Sequence, residues 1–280
     1  MVIFKHTAPL QAYLSASGKN VAFIPTMGAL HVGHTSLIGM AAGRGEFTVC
    51  SIFVNPTQFN DPKDFEKYPK STDSDISLLI EAGCDVLFLP EVADVYPGGP
   101  DSVKVYDFDY LETVLEGVHR PGHFRGVGQV VGRLLEMVQP RFLYLGQKDY
   151  QQCMVIADLV KQMGKSSTLE LVTCPTVREP DGLAMSSRNR RLTNAQRALA
   201  GVIYQCLVSI QGKQEEGNFP VVRKECNELM EAKGFEPEYV ALADAGTLEL
   251  MEDYNPQRKQ IALIAAKLGG VRLIDNMILN

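Results

Sequence analysis

The sequence predicts an α/β protein, built as a parallel sheet with helices on both faces and followed by a smaller C-terminal α+β domain. Three observations predict it. Short β-rich runs alternate with longer helical patterns over the first two-thirds of the chain, which is the signature of βαβ units. After about Val177 the order changes to consecutive helical patterns and then strand-like runs. The 280 residues, 45% of them hydrophobic, are enough for about two domains at roughly 150 residues each. The expected division is 1–176 and 177–280, with a hinge near the REPDG segment, where Pro180 and Gly182 interrupt regularity.

The predicted strands of the first domain are VAFIPT (Val21–Thr26), FTVCSIFV (Phe47–Val54), CDVLFLP (Cys84–Pro90), RFLYLG (Arg141–Gly146) and LELVTCPT (Leu169–Thr176). HTSLIGMAAG begins a helix after the first of them. STDSDISLLIEAG opens on Ser and Thr with early aspartates, continues with apolar Ile76, Leu79 and Ile80, and meets a glycine stop at Gly83; it reads as a helix. VGQVVGRLLEMV and DYQQCMVIADLVKQM carry apolar residues three and four apart and are followed by Pro140 and Gly164. In the second domain TNAQRALAGVIYQCLVSIQ and FPVVRKECNELMEAKG read as helices, and YVALAD, IALIAAKL and VRLIDNM as strands, the last two joined by a hairpin at Gly269 and Gly270.

Composition removes several function classes. Against 33 Asp plus Glu stand 27 Lys plus Arg, a formal charge of -6, so no global positive field exists to hold a nucleic acid. Apolar runs such as Val49–Val54 fall far short of the roughly 20 residues that span a bilayer, and the N-terminus lacks a signal-peptide core, so a cytoplasmic protein with no membrane partner is expected. Six cysteines lie far apart with no CxxC pair; they read as reduced core hydrophobes, and no protein metal site is expected. The run KQEEG reads as a solvated turn.

Four segments carry chemistry. PTMGALHVGH (Pro25–His34) lies where the first strand passes into a helix, the edge at which open α/β sheets bind ligands. Gly28 and Gly33 permit close backbone approach, helix N-terminal amides favour an anion, and His31 and His34 can both donate to a phosphate. No GxxxxGK[ST] or GxGxxG competes with this motif. FVNPTQF (Phe53–Phe59) follows the second strand; Asn55 and Gln58 offer neutral donors and acceptors between Phe53 and Phe59 as walls, which suits a small polar substrate. Alone it would read as a plain βα loop.

LGQKDYQQ (Leu145–Gln152) sits at another strand end. Lys148 suits a polyphosphate, Asp149 can accept from ribose hydroxyls, and Gln152 can reach a substrate one turn on; the bland alternative is Asp149 as a helix cap and Lys148 in solvent. REPDGLAMSSRNRRL (Arg178–Leu192) is polar and basic, and Ser186, Ser187 and Arg188 can bind departing pyrophosphate, unless the segment is merely an interdomain linker. A fifth stretch, HRPGHFRGV, reads as a lid or subunit contact, with structural roles for His119 and His123 ranked above catalytic ones. The combination of phosphate-binding and small-substrate groups points to one site for phosphoryl or adenylyl transfer, with no GxSxG elbow, HExxH or acidic cage beside it.

PTMGALHVGH, FVNPTQF, RPGHFRGV, GQKDYQQ and REPDGLAMSSRN, in this order and at these separations, resemble the pantothenate synthetase (pantoate-β-alanine ligase) family over essentially the whole chain. HxGH by itself marks only the wider nucleotidyltransferase superfamily. The resemblance implies a Rossmann-like first domain, a smaller second domain acting as a lid, and a cytoplasmic homodimer in coenzyme A biosynthesis. It implies attack of pantoate on Mg²⁺-ATP to give pantoyl adenylate and pyrophosphate, then attack of β-alanine to give pantothenate and AMP. By resemblance the segment Met27, Gly28, Ala29, Leu30, His31, Val32, Gly33 and His34 holds ATP, with His34 as proton donor and His31 beside it on the phosphates. Gln58 meets pantoate and β-alanine, Gln152 pantoate, and Met27 the substrate as well. Gly146, Gln147, Lys148 and Asp149 take ribose and phosphates, Val177 meets adenine through its backbone, and Met185, Ser186, Ser187 and Arg188 complete the nucleotide site; His34, His31, Lys148 and Arg188 are the catalytic set. Arg191, where an aromatic is usual, and the polar LVKQMGKSSTLEL depart from the family pattern without touching these residues.

Two other classes compete. Another adenylyltransferase would move AMP onto a phosphorylated acceptor and release no amide. A nucleotide-binding regulator would keep the pocket without turnover, against which intact His34, Lys148 and Arg188 argue. A tRNA-charging fragment is disfavoured by the acidic charge and the absence of an anticodon-binding domain.

Overall fold

The computed structural model describes residues 1–58, 71–99, 102–214 and 217–279. The candidate wall residue Phe59 and part of the KQEEG run lie outside them. The chain forms two units, one of Met1–Gly146 with Gln151–Cys174, the other of Gln147–Tyr150 with Pro175–Asn280.

In the first unit six parallel strands, β1 (Val2–Phe4), β2 (Val21–Thr26), β3 (Phe47–Ile52), β4 (Val86–Phe88), β5 (Phe142–Gly146) and β6 (Glu170–Cys174), lie in the order β1-β4-β3-β2-β5-β6. The helices that position the site are α1 (Thr7–Ser17), α2 (Val32–Gly43), α3 (Thr72–Glu81), α4 (His123–Val138) and α5 (Tyr150–Gln162). Strand residues alternate between two cores because successive side chains leave opposite faces. Val21, Phe23, Val49 and Leu143 join α1, α4 and α5 in one core, while Ala22, Ile24, Cys50 and Tyr144 join α2 and α3 in the other. A one-residue slip would exchange the contents of both, so the register is firmly set.

Edge strand β1 is not visible in the sequence pattern; three residues are too few to carry a period, and only its pairing with β4 defines it. Strand order reverses between β2 and β5, which makes their carboxyl ends the switch point at which such sheets bind ligands. There β2 pairs with β3 from Val21 to Thr26 but with β5 only at Ala22 and Phe23. Pro25, with no N–H to give, lies in the stretch that β5 leaves unpaired.

The second unit has four antiparallel strands, β7 (Phe235–Asp244), β8 (Leu250–Met251), β9 (Gln260–Leu268) and β10 (Val271–Leu279), ordered β10-β9-β7-β8. The Gly269-Gly270 turn has φ of 56° and 77°, as the tight hairpin requires. The helix expected over 193–211 is two, α6 (Asn194–Leu199) and α7 (Val202–Gly212), parted at Gly201, where a Cβ would stand 2.9 Å from the Asp181 carbonyl oxygen. α7 and α8 (Phe219–Ala232) enclose a core with the sheet, to which α6 gives no buried residue. All six cysteines are buried thiols; burial pushes the Cys50 thiol well up and the Cys174 thiol up to about 11, the behaviour of packing residues. Among the described residues no helix is long and apolar enough to cross a membrane.

Candidate active site

The loop after β2 is fixed by a carboxylate from α3. Asp75, 2% exposed, accepts the Ala29 N–H at 2.9 Å and the Leu30 N–H at 2.8 Å, and the Ser71 hydroxyl at 3.1 Å. Gly28, at φ 81°, runs so close that a Cβ would lie 3.0 Å from the Asp75 carboxylate and 3.1 Å from Ile52; Ala29 takes φ 51°. The sequence offers Asp75 only as a first-turn aspartate of a helix. Nothing local signals a bond to residues 45 and 46 positions away.

His31 caps α2 from an extended backbone, and its Nδ1 accepts the Gly33 N–H at 3.1 Å. His34 Nδ1 in turn accepts the His31 N–H at 3.3 Å, and the rings stand 4.0 Å apart. Because both Nδ1 atoms accept, each neutral ring carries its proton on Nε2. One of the helix amides expected for an anion is thus already capped by an imidazole.

The turn carrying Gln58 is held from α4. Gly126 packs so tightly that a Cβ would meet the Thr57 carbonyl oxygen at 2.6 Å, and the buried His123 bonds the Gln58 carbonyl through Nδ1 at 2.9 Å. A carbonyl only accepts, so this ring donates from Nδ1. Asn55, fully buried, donates to the Gly126 carbonyl and to Gln58 Oε1, both at 3.2 Å, and accepts from the Tyr96 hydroxyl at 2.8 Å. Gln58 Nε2 reaches Met27 Sδ at 2.8 Å, so these two expected substrate residues are in contact. Gln152 is half-buried on the first turn of α5, and Gly146 ends β5.

In the second unit Gln147–Asp149 form a single 3-10 turn. Lys148 Nζ lies 3.9 Å from Asp149, whose side chain is 48% exposed. The REPDG segment is an antiparallel turn, closed by Met185 N–H to the Val177 carbonyl at 2.9 Å and a bridge between Arg178 and Ala184. Gly182 is required there, since a Cβ would run into Tyr204 at 2.0 Å. Arg178 bonds both oxygens of Asp275, at 2.5 and 3.1 Å, and stacks on Tyr204 at 4.4 Å. Burial pushes the Asp275 carboxyl above its ordinary value, opposed by this guanidinium. Ser186 caps the next turn by accepting the Arg188 N–H at 3.3 Å; Ser187 is buried and Met185 half-buried. In the sequence Asp275, Asn276 and Arg178 read only as strand and linker residues.

A family model described as pantoate-beta-alanine ligase matches residues 2–278. A pantothenate synthetase of Cytophaga hutchinsonii is 46% identical over 263 residues, 93% of this chain and 92% of its own. The crystal structure of pantothenate synthetase from Thermus thermophilus superposes with a TM-score of 0.91 at 38% identity, covering 99% of both chains. That of pantoate-beta-alanine ligase from Francisella tularensis, complexed with β-γ ATP and β-alanine, gives 0.82 at 36% identity, over 99% of this chain and 97% of that one.

Proposed function

Because this chain belongs to the pantoate-β-alanine ligase family, we propose that it condenses pantoate with β-alanine, using ATP, to give pantothenate, AMP and pyrophosphate through a pantoyl adenylate. The observation that carries this reading is the mutual cap of His31 and His34 at the parted end of β2, which sets two imidazoles as Nε2 donors.

A carboxylate approaching a triphosphate is repelled, and the reaction needs donors where charge gathers on phosphate oxygens. His34 and His31 donate to the phosphates from Nε2, and the Met27–His34 segment binds ATP. Lys148 and Arg188 offset charge on the polyphosphate and on departing pyrophosphate, with Ser186 and Ser187 as further donors. Gly146 to Asp149 take ribose and phosphate, and the Val177 backbone and Met185 the base. Gln58, with Met27, holds pantoate and then β-alanine, and Gln152 orients pantoate.

Among the described residues no group of three or more His, Cys, Asp or Glu surrounds one point. We take Mg²⁺ to arrive with the nucleotide and assign no residue of this chain to hold it. It would supply positive charge that offsets the repulsion between the triphosphate and the incoming carboxylate. The same reading makes the enzyme a cytoplasmic homodimer.

The test is ATP-pyrophosphate exchange. It should require pantoate and not β-alanine, with pantothenate and AMP identified by mass once β-alanine is added. Exchange indifferent to pantoate, or AMP moved to another acceptor without amide formation, would reject the proposal.

A further inference from the structure

Asn276 of β10 is 2% exposed, and its carboxamide is used on both sides. Nδ2 donates to the carbonyl oxygens of Gln147 and Lys148, each at 2.9 Å, and Oδ1 accepts from Gln147 Nε2 at 3.3 Å. The preceding residue, Asp275, holds Arg178, which also donates to the Gly182 carbonyl at 3.0 Å and the Asn276 carbonyl at 3.3 Å. Two consecutive residues of one strand thus anchor both the turn that carries Lys148 and the hairpin that runs into Ser186–Arg188.

We infer that Asn276 is a positioning residue for the nucleotide step, acting through Lys148. The inference rests on the proposed role of Lys148 at the phosphates. Lysine ends in a point charge on a flexible stem, so where it acts depends on how firmly its backbone is fixed. Asn276 gives the carbonyls of the 3-10 turn two donors from outside it, and only a group with at least two N–H donors can hold both at once. An aspartate of the same shape would set oxygen against oxygen at 2.9 Å, and an alanine would take the strand's donor away from both carbonyls. Either change frees the turn, and a displacement of about 1 Å at a reacting group costs on the order of 10²-fold.

The two half-reactions separate this role from a purely structural one. Pantoate-dependent ATP-pyrophosphate exchange reports the step in which Lys148 acts. Conversion of separately prepared pantoyl adenylate with β-alanine reports the step in which the polyphosphate is gone. In Asn276→Ala and Asn276→Asp, exchange is expected to fall roughly 10²-fold with a raised KM for ATP, while the second half-reaction, in which the turn meets the ribose of the adenylate but no polyphosphate, falls by about 10-fold or less. Asn276→Ser keeps one donor, should lose less exchange, and serves if the other two fail to fold. Exchange preserved within about threefold in these variants, or both half-reactions falling by one common factor, overturns the inference. A wild-type protein without pantoate-dependent exchange would instead remove the functional reading, and this inference with it.

Discussion

His31 and His34 cap one another across the first turn of α2, each Nδ1 accepting a backbone N–H, at 3.1 Å from Gly33 and 3.3 Å from His31. A histidine pair does here what a Ser and Glu capping box does elsewhere, and it fixes ring orientation as well as the helix start. Nitrogen-15 NMR of the imidazoles is therefore expected to show the Nε2–H tautomer for both neutral rings. An Nδ1–H signal from either would mean that the mutual cap does not form in solution. His31→Ala should also cost the helix about 1 kcal/mol in chemical unfolding, the usual loss for an N-cap.

The loop in front of that helix depends on Asp75. Asp75→Ala removes the carboxylate that accepts the buried N–H groups of Ala29 and Leu30, and about 2 kcal/mol or more of stability should go with these bonds. Gly28→Ala should be costly as well, about 1–2 kcal/mol, because φ is 81° and the new methyl meets the Asp75 carboxylate and Ile52. Ala29→Gly should behave differently. Relief of the strain at φ 51° is offset by the greater freedom of the unfolded chain, so the change should stay within about 1 kcal/mol. Urea unfolding of the three variants tests the set, and equal losses at positions 28 and 29 would contradict it.

These cases mark what the sequence can and cannot reveal. Val21 to Ile24 announce a strand because every residue is apolar, and the spacing of His31 and His34 is visible because a helix turn brings i and i+3 together. The doubly covered sheet follows from βα alternation in the same way. Asp75, Gly126 and Asn276 act across long separations, and in the sequence they are a helix aspartate, one glycine among several and a strand asparagine. Their partners are chosen by tertiary packing, which no local period encodes. The break at Gly201 is hidden for the same reason, since the constraint comes from Asp181.

Gly126 gives a test of the substrate side. In Gly126→Ala the methyl would meet the Thr57 carbonyl oxygen at 2.6 Å and Gln58 Cα at 2.9 Å, both backbone, so the turn must move off α4. If Gln58 holds pantoate, KM for pantoate should rise about 10-fold or more while KM for ATP changes little. Steady-state kinetics in both substrates decides it. Equal rises in the two KM values would point to a general loosening instead.

Acid stability should depend on Asp253 and Asp181 in the second unit. Asp253 accepts the Phe219 N–H at 2.7 Å, at the start of α8, and the Tyr254 N–H at 2.8 Å, and these bonds hold its carboxyl below the ordinary 3.8. The Arg197 guanidinium does the same for Asp181. With folded-state values below the unfolded one, the unfolded chain binds more protons in the window between them, so stability rises with pH there. The contribution is complete above about 3.8 and is lost as pH falls through the lower folded-state values. Asn at position 253 keeps an acceptor for the amides but has nothing to titrate. Asp253→Asn should therefore be less stable than wild type at neutral pH, and the gap in Tm should close as pH is taken below 3.8. A gap that stays constant across that range would show that the Asp253 charge contributes nothing to the cap of α8.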